Sequence, residues 1–234
     1  WFINNASVAG TEDGRLNTPY KSIANFQAVN NGTGSNPAAG DVIFIHQGSG
    51  NYTGPLTLLN TQKLIGEGAS ATLASITGFT VPPFSNPLPT TTLANKPVIT
   101  AAGTNHAITL GQNNLIRGLT VGNTADGAKI FGNDFGTATI GNVTTPDVML
   151  NGTGKALDLT TGTLAAYFAE LTSTSSPTTG VSLTTVAGTL SSLSTTGGIS
   201  GSMGIGFSVN GSNPTITYAA PISKNSSGKV IDIS

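Results

Sequence analysis

The sequence predicts an all-β fold, a parallel β-helix with a short α-helix at its N-terminal end, on three observations. The first is a countable repeat: Ala156-Leu157-Asp158-Leu159-Thr160, Gly180-Val181-Ser182-Leu183-Thr184, Gly206-Phe207-Ser208-Val209-Asn210 and Val230-Ile231-Asp232-Ile233-Ser234 share one apolar/polar pattern. Their apolar pairs recur after 24, 26 and 24 residues. Alternation at period two puts each pair on one face of a strand, and a near-constant step stacks those faces into a ladder. The second is Val42-Ile43-Phe44-Ile45, apolar on both faces and therefore a strand covered on both sides. The third is composition: 31 glycines and 8% charged residues, against about 25% charged in an average domain. A β-sandwich also has many short strands divided by turns, but it needs no matched inward pairs at a constant step.

Taken in order, Thr18 reads as the N-cap of a helix that Pro19 starts, because proline at the first helical position loses no needed donor. Ile23, Ala24, Phe26 and Ala28 give that helix, over about residues 19–30, an apolar face before Asn30-Asn31-Gly32 stops it. Its use is to cover the apolar end of the stack. Residues 1–40 form this cap region, and residues 41–234 form the coils of a single domain. Ala107–Leu110 and Asn114–Val121 read as two strands of one coil, with Ile116, Leu119 and Val121 inward and Arg117 outward. Asn-Gly pairs at Asn31, Asn151 and Asn210 supply turn residues that tolerate positive φ. The stretch from Pro82 to Pro97, with Pro83, Pro87 and Pro89 inside it, reads as a projecting loop, since proline cannot donate to a central ladder. At the other end Val230–Ile233 reads as a coil strand with no covering segment after it, which predicts an open edge, either continued by further coils of a longer chain or covered by another copy end to end.

The order Asp13-Gly14, Thr18-Pro19-Tyr20, Gly40-Asp41-Val42-Ile43-Phe44-Ile45, Gly50-Asn51-Tyr52 and Leu64-Ile65-Gly66-Glu67-Gly68 resembles the opening of right-handed parallel β-helix proteins of the pectate-lyase-like superfamily. The resemblance implies a helix that plugs the first coil and a strand that starts the stack. It is firmest over residues 1–68. From Ala156 onward the sequence resembles the repeat regions of large bacterial surface proteins and adhesins. That second resemblance implies a noncatalytic extracellular or cell-surface module, structural or adhesive, with fibre formation as one expectation. Its partners would be further copies of the chain, end to end or along the stack, and surface glycans. The alternative implied by the superfamily is a polysaccharide lyase or glycoside hydrolase.

A net charge of −1 offers no basic field for phosphates, which argues against nucleic acid as a partner. No cysteine is present, so neither a disulfide framework nor a thiolate metal site is expected. No apolar run, Val42–Ile45 included, approaches the ~20 residues that cross a bilayer.

Enzymes of the superfamily gather Asp residues around Ca²⁺ beside an Arg or Lys base, or pair Asp residues for hydrolysis. Calcium needs several converging oxygens, and glycoside hydrolysis needs two carboxyls about 5–10 Å apart. With ten acidic residues in all, the densest polar group is Arg117, Asp126, Lys129 and Asp134. These four are the catalytic candidates of the alternative; read singly, each is a solvated turn residue, and no catalytic group is expected. His46 and His106 each lack a second His or a carboxylate at metal-ligand spacing in sequence, so neither a metal nor a cofactor is expected. Glu67 and Glu170 stand isolated, with Phe168 and Leu171 inward of Glu170. Gly201–Gly206 lacks the strand-turn-helix setting and the Lys of a phosphate loop. The Thr clusters mix with Asn and Ser, so they do not predict a regular ice-binding ladder.

Overall fold

The computed structural model describes residues 1–234 as a parallel β-solenoid of about 5 turns, nearly all-β, with two short helices. Three parallel ladders run its length. In one, inward side chains stack in register from Ile43 through Leu64, Ile116, Ile140, Ala166 and Leu190 to Ile216. In the second they run from Leu56 through Ile108, Ile130, Leu157, Val181 and Phe207 to Ile231. The third joins Tyr52, Ile99, Val121, Leu150 and Leu171. The sequence ladder is therefore real: Leu159, Leu183, Val209 and Ile233 are direct neighbours on successive rungs. Ile116, Leu119 and Val121 lie in the same core, as the alternation predicts.

Successive faces meet at a corner that the sequence did not reveal. Strand Lys155–Leu171 and strand Val181–Ser192 each bend where Thr161 (φ 56°) and Thr185 (φ 55°) adopt the left-handed region. Asp134 (φ 53°) and Gly211 (φ 53°) occupy the same corner one rung before and one rung after. Left-handed threonine is costly in isolation, and aligned rungs on both sides hold it there. The three Asn-Gly pairs act as predicted, each placing its glycine at positive φ.

The cap helix is shorter than expected. Helix α1 spans Ile23–Gln27, and its N-cap is Ser22, whose Oγ accepts the Asn25 N–H at 3.0 Å. Thr18 instead donates its hydroxyl to Asp13. Tyr20 is extended beside strand Phe2–Ile3: its N–H donates to Phe2 O at 3.0 Å, and its O accepts the Asn4 N–H at 2.8 Å. The free edge of the first strand takes Tyr20 into a parallel bridge with Ile3, while Thr18 pairs back on Arg15, and the helix starts only after them. Ile23 and Phe26 are fully buried and close that end of the core.

A second helix, α2, spans Leu73–Thr77, capped by Thr72 and by left-handed Gly78. Leu73 packs with Phe44, Ile65 and Ala69 in a small core outside the solenoid wall, with Leu88 against it. The proline-rich stretch contains no strand, as predicted, but it does not simply project. Thr92 N–H and Asn95 Nδ2 return to the Glu67 O and Oε1 at 2.8 and 3.0 Å. Gly118 (φ 67°) lets this insertion sit close, since a Cβ there would lie 2.1 Å from Ala69 N.

Candidate functional site

The structure sends the four catalytic candidates to different tasks. Arg117 points away from the core, as expected, yet it is buried, because the insertion carrying α2 covers it. Its guanidinium pairs with fully buried Asp147 at 2.8 Å and donates to Ser70 Oγ at 3.0 Å. Asp147 also accepts the Ser70 N–H and hydroxyl at 2.9 and 3.0 Å. The network ties the insertion to the wall, and its geometry is that of a latch. Lys96 lies close enough to Asp147 for that charge to oppose the lowering of its pKa by burial.

Lys129 is fully buried as well, contrary to the reading of a solvated residue. Its ammonium donates to three consecutive carbonyls, Gly152, Thr153 and Gly154, at 3.2, 2.9 and 3.1 Å. Burial pushes its pKa down to about 7, while the three carbonyl dipoles favour the charged form. Asp134 is the left-handed corner residue of its rung and accepts from Gln112 Nε2 at 3.1 Å. Asp126 stays exposed in a turn. No hydrogen bond or ion pair joins any two of the four.

His46 and Glu67, which look unrelated in sequence, meet across adjacent rungs with Nδ1 3.3 Å from Oε2. The register Ile45 to Gly66 makes them neighbours, so the 21-residue step of this coil was the signal that could have found the pair. Glu67 also accepts the Gln47 N–H at 2.9 Å, and Phe44 stands edge-on to the imidazole. Burial lowers the His46 pKa, and Glu67 opposes that. His106 stacks on Phe131 at 4.1 Å and accepts the Ala128 N–H through Nδ1, a structural role. Phe168 and Leu171 are inward, and Glu170 accepts from the Thr172 hydroxyl at 2.9 Å. No group of three or more His, Cys, Asp or Glu is arranged to hold a metal. No helix is long and apolar enough to cross a membrane.

The C-terminal face is apolar throughout. Phe207 and Val209 still lie beneath a neighbouring rung, but Ile231 and Ile233, in register above them, are 50% and 75% exposed. With Ile216, Tyr218, Ala220 and Ile222 they line a cavity of about 320 Å³ whose eight lining residues are all hydrophobic. In strand Ile231–Ile233 the pairing to Phe207–Asn210 uses the neighbouring even-numbered residues, through Val230 O, Ser234 N and Ser234 O. In a parallel ladder the N–H and C=O of Ile231 and Ile233 therefore point outward, along an edge that pairs with no other strand. Such a face can receive a strand and has no group that does chemistry. Comparison of the chain with protein-family models, curated proteins and solved structures returned no match.

Proposed function

We propose that the chain is a noncatalytic structural or adhesive module of an extracellular bacterial surface protein, built on the pectate-lyase-like plan, whose C-terminal face stacks against a further rung. The observation that carries this reading is the last rung itself, with an apolar floor, exposed Ile231 and Ile233, and a free backbone edge. Unpaired strand edges over an apolar face recruit other strands, and stacked repeats gain their stability from neighbour contacts. The ionisable residues support it too, since Arg117 and Lys129 hold loops and turns in place.

Sedimentation velocity over a concentration series tests the proposal. The chain should associate reversibly, and Ile231→Lys with Ile233→Lys should abolish association without lowering the melting temperature. Association that survives the double substitution would sink it, and a monomer at every concentration would assign the further rung to the same polypeptide and not to another copy. Release of unsaturated or reducing ends from a polysaccharide panel, lost on changing Arg117, Asp126 or Asp134, would replace it with the lyase or hydrolase reading.

A further inference from the structure

The capped end carries a cleft that the stacking role does not use. Its volume is about 640 Å³, and Trp1, Tyr20, Glu12, Asp13, Arg15 and Asn36 are among its walls. The two aromatic rings are held 6.4 Å apart at 26°. Both are fixed from behind: Tyr20 rests edge-on against buried Phe26, and Trp1 Nε1 donates to Asp41 Oδ2 at 2.7 Å. Gly14 (φ 75°) lets the chain pass against both rings, since a Cβ would lie 2.5 Å from Trp1 and 2.6 Å from Tyr20. A carboxylate on the indole N–H pushes electron density onto the ring and strengthens its negative face, which is the part of an aromatic that attracts cations.

The polar wall has the same sign. Glu12 Oε2 is held by the Lys21 N–H and Asn25 Nδ2, both at 2.8 Å. Asp13 Oδ1 is held by the Arg15 N–H at 3.1 Å and by the Thr18 hydroxyl. Each carboxylate is anchored through one oxygen, and Glu12 Oε1 and Asp13 Oδ2 make no hydrogen bond. Those contacts keep both carboxyls below their usual pKa, while burial and then the two negative charges raise that of Tyr20. The cations nearby are weakly placed. Arg15 is 84% exposed and stands 3.6 Å from Asp13, Lys21 lines the adjoining cleft, and the Trp1 backbone nitrogen donates to Val42 O at 2.7 Å.

We propose that this cleft binds a small organic cation, a quaternary or protonated ammonium group, against the Trp1 ring, which the largely buried Tyr20 backs, with Glu12 and Asp13 as its counter-charges. The chain has one tryptophan, so intrinsic fluorescence reads the site directly. Choline should change that fluorescence saturably at constant ionic strength. Its neutral isostere 3,3-dimethylbutan-1-ol should bind roughly tenfold more weakly or worse. Glu12→Gln with Asp13→Asn keeps an acceptor oxygen at each anchored position and should lose a comparable factor at an unchanged melting temperature. Arg15→Ala, at an exposed position with no folding risk, should tighten binding.

Equal binding of the isostere, a preference for methyl glucoside over choline, no effect of Arg15→Ala, or no saturation by about 0.1 M choline would each overturn the proposal. If the carboxylate double variant fails to fold, the isostere and Arg15→Ala comparisons still decide.

Discussion

The first and the last rungs of residues 1–234 differ in what lies over them. At the N-terminal end the first strand is edged by Tyr20, and the core is closed by Ile23 and Phe26 of α1. At the C-terminal end the same kind of core stops at Ile231 and Ile233 with no helix over it. The strands beneath share the inward stack but not the outward face, since Val42–Ile45 is apolar on both faces and Ile231-Asp232-Ile233 alternates. The sealed end carries polar detail and a cleft, and the open end carries apolar surface alone.

The comparison breaks most sharply within one column. Leu183 and Ile233 belong to the same inward stack, but Leu183 is 0% exposed and Ile233 is 75% exposed. Leu183→Asp would bury an unpaired carboxylate and should cost several kcal/mol. Ile233→Asp should stay within about 1 kcal/mol in urea melts at low protein concentration. Equal losses would mean that the end is covered in solution even in the monomer.

Next in size is the latch that holds the insertion to the N-terminal half. Arg117→Met strands the buried Asp147 carboxylate and should cost about 3–5 kcal/mol. Lys96, which already feels that charge, would offset part of the loss. Arg117→Met with Asp147→Leu should recover much of the stability, because both buried charges are then gone. Hydrogen exchange of residues 69–97 should rise in the single variant while strands Val181–Ser192 and Phe207–Asn210 stay protected. Uniform deprotection would show that the latch supports the whole stack.

The regular part of the molecule was the part legible in sequence. Leu157, Val181, Phe207 and Ile231 announce themselves because alternation and a near-constant step are both local properties of the text. The latch was not legible, since Arg117 and Asp147 are 30 residues apart and meet only because an insertion folds over the wall. Helix α2 escaped because Leu73–Thr77 is one turn long and its sequence is equally compatible with a loop. Thr161 and Thr185 bend their strands at positive φ, a conformation that the residue type disfavours and the stacking imposes. The burial of Lys129 was hidden for the same reason, as its partners are carbonyls, which carry no side-chain signature.

Lys129 sharpens the comparison through pH. Its folded pKa, pushed by burial to about 7, lies below its ordinary 10.5. Between those values the unfolded chain holds the proton and the folded chain has released it, so stability rises with pH through this window. Below about pH 7 the cost of the buried charge is fully present. Urea midpoints from pH 6.5 to 10 should therefore climb in the native chain, and Lys129→Met should flatten that slope. A flat native profile would mean that the three carbonyls compensate burial completely.

The smallest effect tests how the sealed end begins. Ser22 accepts the Asn25 N–H and caps α1, whereas Thr18 only closes a turn on Asp13. Loss of a capping oxygen typically costs about 1 kcal/mol, and an exposed polar substitution away from such a role stays within about 0.5 kcal/mol. Ser22→Ala should therefore lower stability more than Thr18→Val, and Ser22→Asn should restore most of it. Any loosening of α1 should also reach Phe26 and, through it, the Tyr20 ring, so Ser22→Ala should alter the near-ultraviolet dichroism of the cap. The reverse order of the two losses would mean that in solution the helix starts at Pro19 and that the bridge between Tyr20 and Ile3 is not formed.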